Sequence, residues 1–118
     1  MATVSCMAAE RDVTPEQAEA LRRDGDAQLI DVREAAEWEQ GRIEGARHIV
    51  LGEVAAQAAS IDQERPVVFY CRVGGRSAMA ADAFRRAGYE AYSMDGGLVA
   101  WAAQGRPLEP EDGSVAPH

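Results

Sequence analysis

Cysteine is scarce in this chain: of 118 residues two are cysteine, Cys6 and Cys71, which form no C-x-x-C pair. Neither a disulfide framework nor a zinc site is indicated, and a reducing cytoplasm is the expected setting. Positive charge is scarce too. Lysine and arginine together number 12 against 20 aspartates and glutamates, a formal net charge of −8, which argues against nucleic acid or an anionic membrane as partner. The N-terminus has no charged segment leading into an apolar core with a cleavage site, and no apolar run approaches membrane-spanning length. Secretion and membrane insertion are therefore not expected. Histidine is limited to His48 and His118, neither an obvious partner for a Cys–His dyad, and no internal repeat is present. No metal ion and no cofactor is called for.

What is present suits one compact domain. With 47% hydrophobic residues the chain can build a single core. A domain of this size buries only about two-thirds of the surface its unfolded chain exposes, so a site must be compact and held in a loop. The first helix opens at Thr14-Pro15-Glu16-Gln17, where Thr14 caps, Pro15 suits the first position and Gln17 completes a capping box. It runs to Arg23, with Gly25 as its stop. Strands are expected over 27–32, 46–51, 66–70 and 89–94, and further helices over 34–40, 53–59, 77–86 and 98–104. In the 77–86 helix, Met79, Ala80, Ala83 and Phe84, with Ala87 beyond it, form the expected apolar face. Residues past Arg106 show no apolar period and read as a loose end. The resulting division is an N-terminal segment 1–12, a domain 13–108 and a flexible tail 109–118. Strands alternating with helices predict an α/β domain with a mainly parallel central sheet and helices on both faces. In such sheets ligands sit at the carboxyl ends of the strands.

The segment Cys71-Arg72-Val73-Gly74-Gly75-Arg76-Ser77 joins the most continuous strand to a helix. Its two glycines permit a tight cradle with amides turned inward. The helix beginning near Ser77 adds its own amides and dipole, which favour negative charge at the centre of the loop. A thiol placed there ionises more readily than free cysteine, whose pKa is about 8.5, because amides, dipole, Arg72 and Arg76 all favour the thiolate. Cys71 is therefore the candidate nucleophile and needs no separate base. A buried structural cysteine beside an ordinary turn is the plainer alternative, but strand end, paired glycines, flanking arginines and helix start coincide here.

Three segments resemble the single-domain rhodanese, or thiosulfate sulfurtransferase-like, family. The first is Asp31-Val32-Arg33-Glu34 with Trp38 and Gly41-Arg42-Ile43-Glu44-Gly45-Ala46. The second is the Cys71 loop, and the third is Asp95-Gly96-Gly97-Leu98-Val99-Ala100-Trp101. Arg42, Glu44 and Val50 stand where the family often has His, Pro and Pro. The resemblance implies a rhodanese-like fold and a two-step transfer. Cys71 would take a sulfane sulfur from thiosulfate or a persulfide donor, then pass it to cyanide or to a thiol, either a small molecule or a protein. Substrate would be held by Arg72, Val73, Gly74, Gly75, Arg76 and Ser77, with the two arginines on the anionic donor. Related folds also carry cysteine phosphatases, arsenate reductases and non-catalytic interaction modules. Cysteine phosphatases use C-x5-R around a tetrahedral phosphate; the loop here is C-x4-R, and interaction modules commonly lack the cysteine.

The remaining candidates read as structure. Asp31 and Arg33 form a structural pair, Trp38 and Trp101 are core residues, and Glu34, Glu37 and Glu39 are the solvated face of a short helix. His48 is an ordinary strand residue. Cys6 is a conceivable resolving thiol, although most cysteines so placed have no redox role.

Overall fold

The computed structural model describes residues 12–109 and residue 115. Cys6, His118 and all of the N-terminal segment except Asp12 lie outside the described residues. In chain order the elements are β1 (Asp12–Val13), α1 (Pro15–Gly25), β2 (Gln28–Asp31), α2 (Ala35–Gln40), β3 (Arg47–His48), α3 (Leu51–Val54), a 3-10 turn (Ala58–Ser60), β4 (Val67–Tyr70), α4 (Gly75–Arg86), β5 (Ala91–Met94) and α5 (Gly97–Ala103). The five strands form one sheet in the order β1-β5-β4-β2-β3, and every pairing is parallel. The expected α/β architecture is the one observed.

Local sequence accounts for most element starts. Thr14 Oγ1 accepts from the Gln17 amide at 3.0 Å while Gln17 Oε1 accepts from the Thr14 amide at 2.9 Å, closing the capping box ahead of Pro15. Asp26, not Gly25, takes the left-handed cap conformation, with φ 58°. β4 is buried at all four positions, as a central strand covered on both faces must be, and its β-branched and aromatic side chains suit that setting.

Alternation along the strands sorts the core into two layers. Ile30, Val67, Phe69 and Cys71 face α3 and α4, packing with Val54, Ala80, Ala81 and Phe84. Leu29, Val68, Tyr70 and Met94 face the other way, packing with Ala18, Leu98 and Trp101 of α1 and α5. Each layer is a sheet face closed by helices, so helices do cover both faces.

The structure corrects four local readings. The expected 46–51 strand is only Arg47–His48, after which Ile49 and Leu51 keep donating to Asp31 O and Val32 O without regular strand form. The expected 53–59 helix is one turn of α3 followed by the 3-10 turn, because Val54 is its only buried residue, and helical stability in proteins rests on a packed face. On α4 the buried stripe is Ser77, Ala80, Ala81 and Phe84, while Met79 is 65% exposed and Ala83 and Ala87 are exposed. The stretch past Arg106 is tied down as far as Glu109, which exchanges backbone hydrogen bonds with Arg42 at 3.0 and 2.7 Å. Trp101 Nε1 donates to Pro107 O at 3.0 Å, and Leu108 and Val115 pack on the second layer. Among the described residues no helix is long and apolar enough to cross a membrane.

Candidate active site

Cys71 directly follows β4, the middle strand of the sheet, and is buried on the α4 side. The chain then turns through Gly74, which has φ 126° and caps α4, a backbone conformation that L side chains avoid. That turn brings the Gly74 amide to 3.1 Å from Cys71 Sγ as a donor. The first turn of α4 lies against the same sulfur, with Ser77 Oγ at 3.6 Å from Sγ. A helix start placed in this way has unpaired amides and the positive end of its dipole directed at the thiol.

The balance at Cys71 is a lowered pKa. Burial, the largest single influence, pushes the thiol up; hydrogen bonds from the Ser77 amide and hydroxyl and from the Gly74 and Arg76 amides outweigh it. The leading causes of thiolate stabilisation are therefore amides and a hydroxyl, where the sequence suggested that the arginine charges would share that role.

A second helix start supports the loop from behind. Leu98 N donates to Cys71 O at 2.9 Å and Val99 N to Arg72 O at 3.0 Å, so α5 fixes the carbonyls while α4 addresses the sulfur. Gly97 makes this approach possible. A Cβ there would lie 2.5 Å from both Cys71 O and Arg72 O, well inside van der Waals contact.

Arg72, Val73, Gly75 and Arg76 surround Cys71 in a cleft of about 200 Å³. Of the seven residues proposed from sequence, these five line the cleft, and Gly74 and Ser77 bond the sulfur from its walls. Val73 is 55% exposed at the mouth.

Arg76, expected from sequence to favour the thiolate and hold an anionic donor, has a carboxylate partner. Its Nη1 and Nη2 donate to Glu37 Oε1 and Oε2 at 2.9 and 3.1 Å, and Glu37 is buried, not solvated as expected. The Arg76 hydrogen bond is the main cause that holds the Glu37 carboxyl down at about 2 against burial, helped by the Glu34 amide. Glu37 thus joins α2 to the Cys71 loop and sets the orientation of Arg76.

Asp31 and Arg33 are fully buried together, consistent with a structural pair. Arg33 Nη2 also donates to Gly41 O at 2.6 Å, and Arg33 O lies 2.7 Å from His48 Nε2. Tyr70 closes the same cluster, its hydroxyl accepting from the Ile43 amide at 3.1 Å. Burial first, then the Asp31 charge, pushes the Tyr70 phenol well up. Trp101 is core, but Trp38 is only partly buried. Its ring stacks with His48 at 4.9 Å, and the Arg42 guanidinium lies 4.9 Å from its centroid, so Arg42 has a packing role of its own.

A model of the Rhodanese-like domain matches residues 14–104. The chain belongs to the rhodanese-like domain family. It is 39% identical over 103 residues to the thiosulfate sulfurtransferase GlpE of Pseudomonas aeruginosa, covering 86% of this chain and 89% of that protein. Among solved structures it is similar to a rhodanese-related protein from Thermoplasma volcanium, with TM-score 0.77, 22% identity, and coverage of 83% of this chain and 96% of that one. It is also similar to a Rhodopseudomonas palustris protein of unknown function described as a possible tyrosine phosphatase, with TM-score 0.73, 28% identity and 89% of each chain covered.

Two residues of this rhodanese-like site escaped the sequence reading. Glu37 looked like one of three exposed glutamates; the available signal was its place three residues after Glu34, where its side chain accepts from the Glu34 amide at 3.0 Å. Ser93 sits on β5 and is 2% exposed. Its signal was a polar residue two positions after Ala91, on the inward face of a buried strand.

Proposed function

We propose that this protein is a thiosulfate sulfurtransferase of the rhodanese type that works through a persulfide on Cys71 in a reducing cytoplasm. The Cys71 thiolate attacks the outer sulfur of thiosulfate; the new S–S bond forms as the old one breaks, and sulfite leaves with the bonding pair. A thiolate or cyanide then attacks the outer sulfur of the persulfide, and the Cys71 thiolate departs. The anionic sulfur is stabilised throughout by the loop amides. Arg72 and Arg76 line the path of the anionic donor, with Arg76 held in place by Glu37.

The observation that carries this reading is the Cys71 sulfur itself: directly after a central strand, it is faced by hydrogen-bond donors from the loop and the start of α4 and lines a cleft of about 200 Å³. The thiosulfate sulfurtransferase relative, aligned over most of both chains, supports thiosulfate as the donor. Intact-protein mass after incubation with thiosulfate is expected to show one added sulfur, absent in Cys71→Ser and retained in Cys6→Ser. No added sulfur on the wild type would overturn the proposal.

A second reading, phosphoryl transfer, is favoured by the solved structure described as a possible tyrosine phosphatase. The four residues between Cys71 and Arg76 weigh against it, since thiosulfate presents one terminal atom where a phosphate ester must bring phosphorus and three oxygens into the cradle. Cys71-dependent hydrolysis of p-nitrophenyl phosphate as fast as sulfur transfer would favour it instead.

A further inference from the structure

Behind the catalytic sulfur lies a pair of buried hydroxyls. Ser77, on the first turn of α4, is fully buried, and Ser93, on β5, is 2% exposed. Their Oγ atoms are 2.7 Å apart. β5 pairs with β4 so that Ser93 stands beside Phe69, and strand alternation puts Phe69 and Cys71 on one sheet face. Ser93 therefore approaches the cysteine from the adjacent strand, two residues out of register with it, and reaches Ser77 rather than the sulfur.

Counting protons gives this pair a direction. Ser77 Oγ has three neighbours: Gly74 O at 3.1 Å, Ser93 Oγ at 2.7 Å and Cys71 Sγ at 3.6 Å. It has one proton to give. A thiolate has none, so every hydrogen bond to it must come from its neighbours. Were Ser77 to donate to Ser93, no hydroxyl would remain to face the thiolate. Ser93 Oγ is bonded to Ser77 Oγ, so donation from Ser93 satisfies its own proton, polarises Ser77 and leaves the Ser77 proton to bridge toward sulfur and Gly74 O. Hydrogen bonds in such a chain strengthen one another in a low-dielectric interior.

We propose that Ser93 is a positioning residue for Cys71: by donating to Ser77 it directs the Ser77 hydroxyl onto the ionised sulfur. The Ser77 hydroxyl is one of the influences that lower the Cys71 pKa, so its orientation bears on nucleophile strength. The charged groups nearest the sulfur are Arg76 of α4 with its partner Glu37 from α2, and Arg72 of the loop; Asp82, Arg85 and Arg86, further along α4, pair with one another, and Asp31 of β2 is paired with Arg33. β5 and α5 contain no charged residue.

The test is the rate of Cys71 alkylation by iodoacetamide against pH, in the full chain with Cys6→Ser as background so that one thiol reports. Ser93→Ala is expected to raise the midpoint by roughly 0.4–1 pH unit, the equivalent of one ordinary hydrogen bond. Ser93→Thr, which keeps the hydroxyl on a strand-compatible side chain, is expected to restore it. A purely structural serine would lower the melting temperature of the alanine variant and leave its midpoint at the wild-type value, and that result would overturn the proposal. Equal shifts in the alanine and threonine variants would overturn it as well. The inference depends on Cys71 being the reactive thiol, but alkylation requires no sulfur donor. Failure of the wild type to take sulfur from thiosulfate would therefore sink the sulfurtransferase reading and leave this comparison intact.

Discussion

At the scale of single residues, the least expected interaction is the one between Glu37 and Arg76. A glutamate on a short, acidic helix reads as solvated, yet here both oxygens bond the Arg76 guanidinium beside the Cys71 loop. The cause is tertiary: α2 packs so that its third residue meets α4, and no local pattern encodes that meeting. The loop geometry was legible, because Cys71 at the end of a buried strand and the glycines before a helix start leave the backbone few alternatives. Folding lowers the Glu37 pKa from 4.5 to about 2. A depressed carboxyl contributes stability that is fully present above its unfolded value and is lost as pH falls through its folded one. Glu37→Gln is therefore expected to cost about 1.5–3 kcal/mol at neutral pH, the range for a charge-assisted hydrogen bond. Urea unfolding of both proteins across pH should show the gap closing between about 4.5 and 2. A pH-independent gap would mean that the pair stabilises through packing alone. The same substitution frees Arg76 to turn, so thiosulfate KM should change along with stability.

At the scale of elements, the paired helix starts explain why the loop has so little freedom. α4 points its amides at the Cys71 sulfur, and α5 holds the Cys71 and Arg72 carbonyls. Gly97 is where the second support meets the first, with φ 56° and backbone atoms 2.5 Å from any Cβ. Gly97→Ala is expected to destabilise the fold by about 1–3 kcal/mol, the usual range for overpacking a close contact, and to lower sulfur transfer by displacing the loop. Gly52 is the opposite case. It lies within α3, has no positive φ, and a Cβ there would meet nothing within 4 Å, so Gly52→Ala should stabilise by roughly 0.5–1 kcal/mol. Urea midpoints of the two variants moving in the same direction would contradict this account. The elements themselves were legible to different degrees. β4 was clear because a strand covered on both faces must be continuously apolar, whereas β5 was read two residues too long and carries the buried Ser93. α3 was overextended because alanine propensity suggests a helix even where no buried stripe supports it. The face of α4 was misjudged because Ser77 turns inward to Cys71 and Ser93, and a buried serine looks like a surface residue until its partners are known.

At the scale of the whole molecule, chain segments distant in sequence meet on the side of the sheet covered by α1 and α5. Arg42 exchanges backbone hydrogen bonds with Glu109, and Pro107 O accepts from the Trp101 indole. These contacts join the turn after α2, the last helix and the C-terminal stretch. They were invisible in the sequence because the stretch has no apolar period; its stabilisation comes from non-local pairing, and a polar, proline-containing tail otherwise has too little apolar surface to offset the entropy of ordering it. Removal of residues 106–118 tests how much of the fold depends on it. Trp101, only 2% exposed in the intact chain, would lose its acceptor and the Arg106 guanidinium 5.3 Å from its ring, and its core layer would lose Leu108. One lost buried hydrogen bond and partial exposure of a large aromatic side chain together are expected to cost about 2–4 kcal/mol. For a domain of this length that corresponds to a melting temperature lower by roughly 8–20 °C. Below the transition, sulfur transfer should survive, because the supports of the loop come from the start of α5 and the tail bonds its far end. An unchanged melting temperature would show the tail to be the loose end its composition suggests. Loss of activity at temperatures where the truncated protein is still folded would show that the tail acts through α5 on the Cys71 loop.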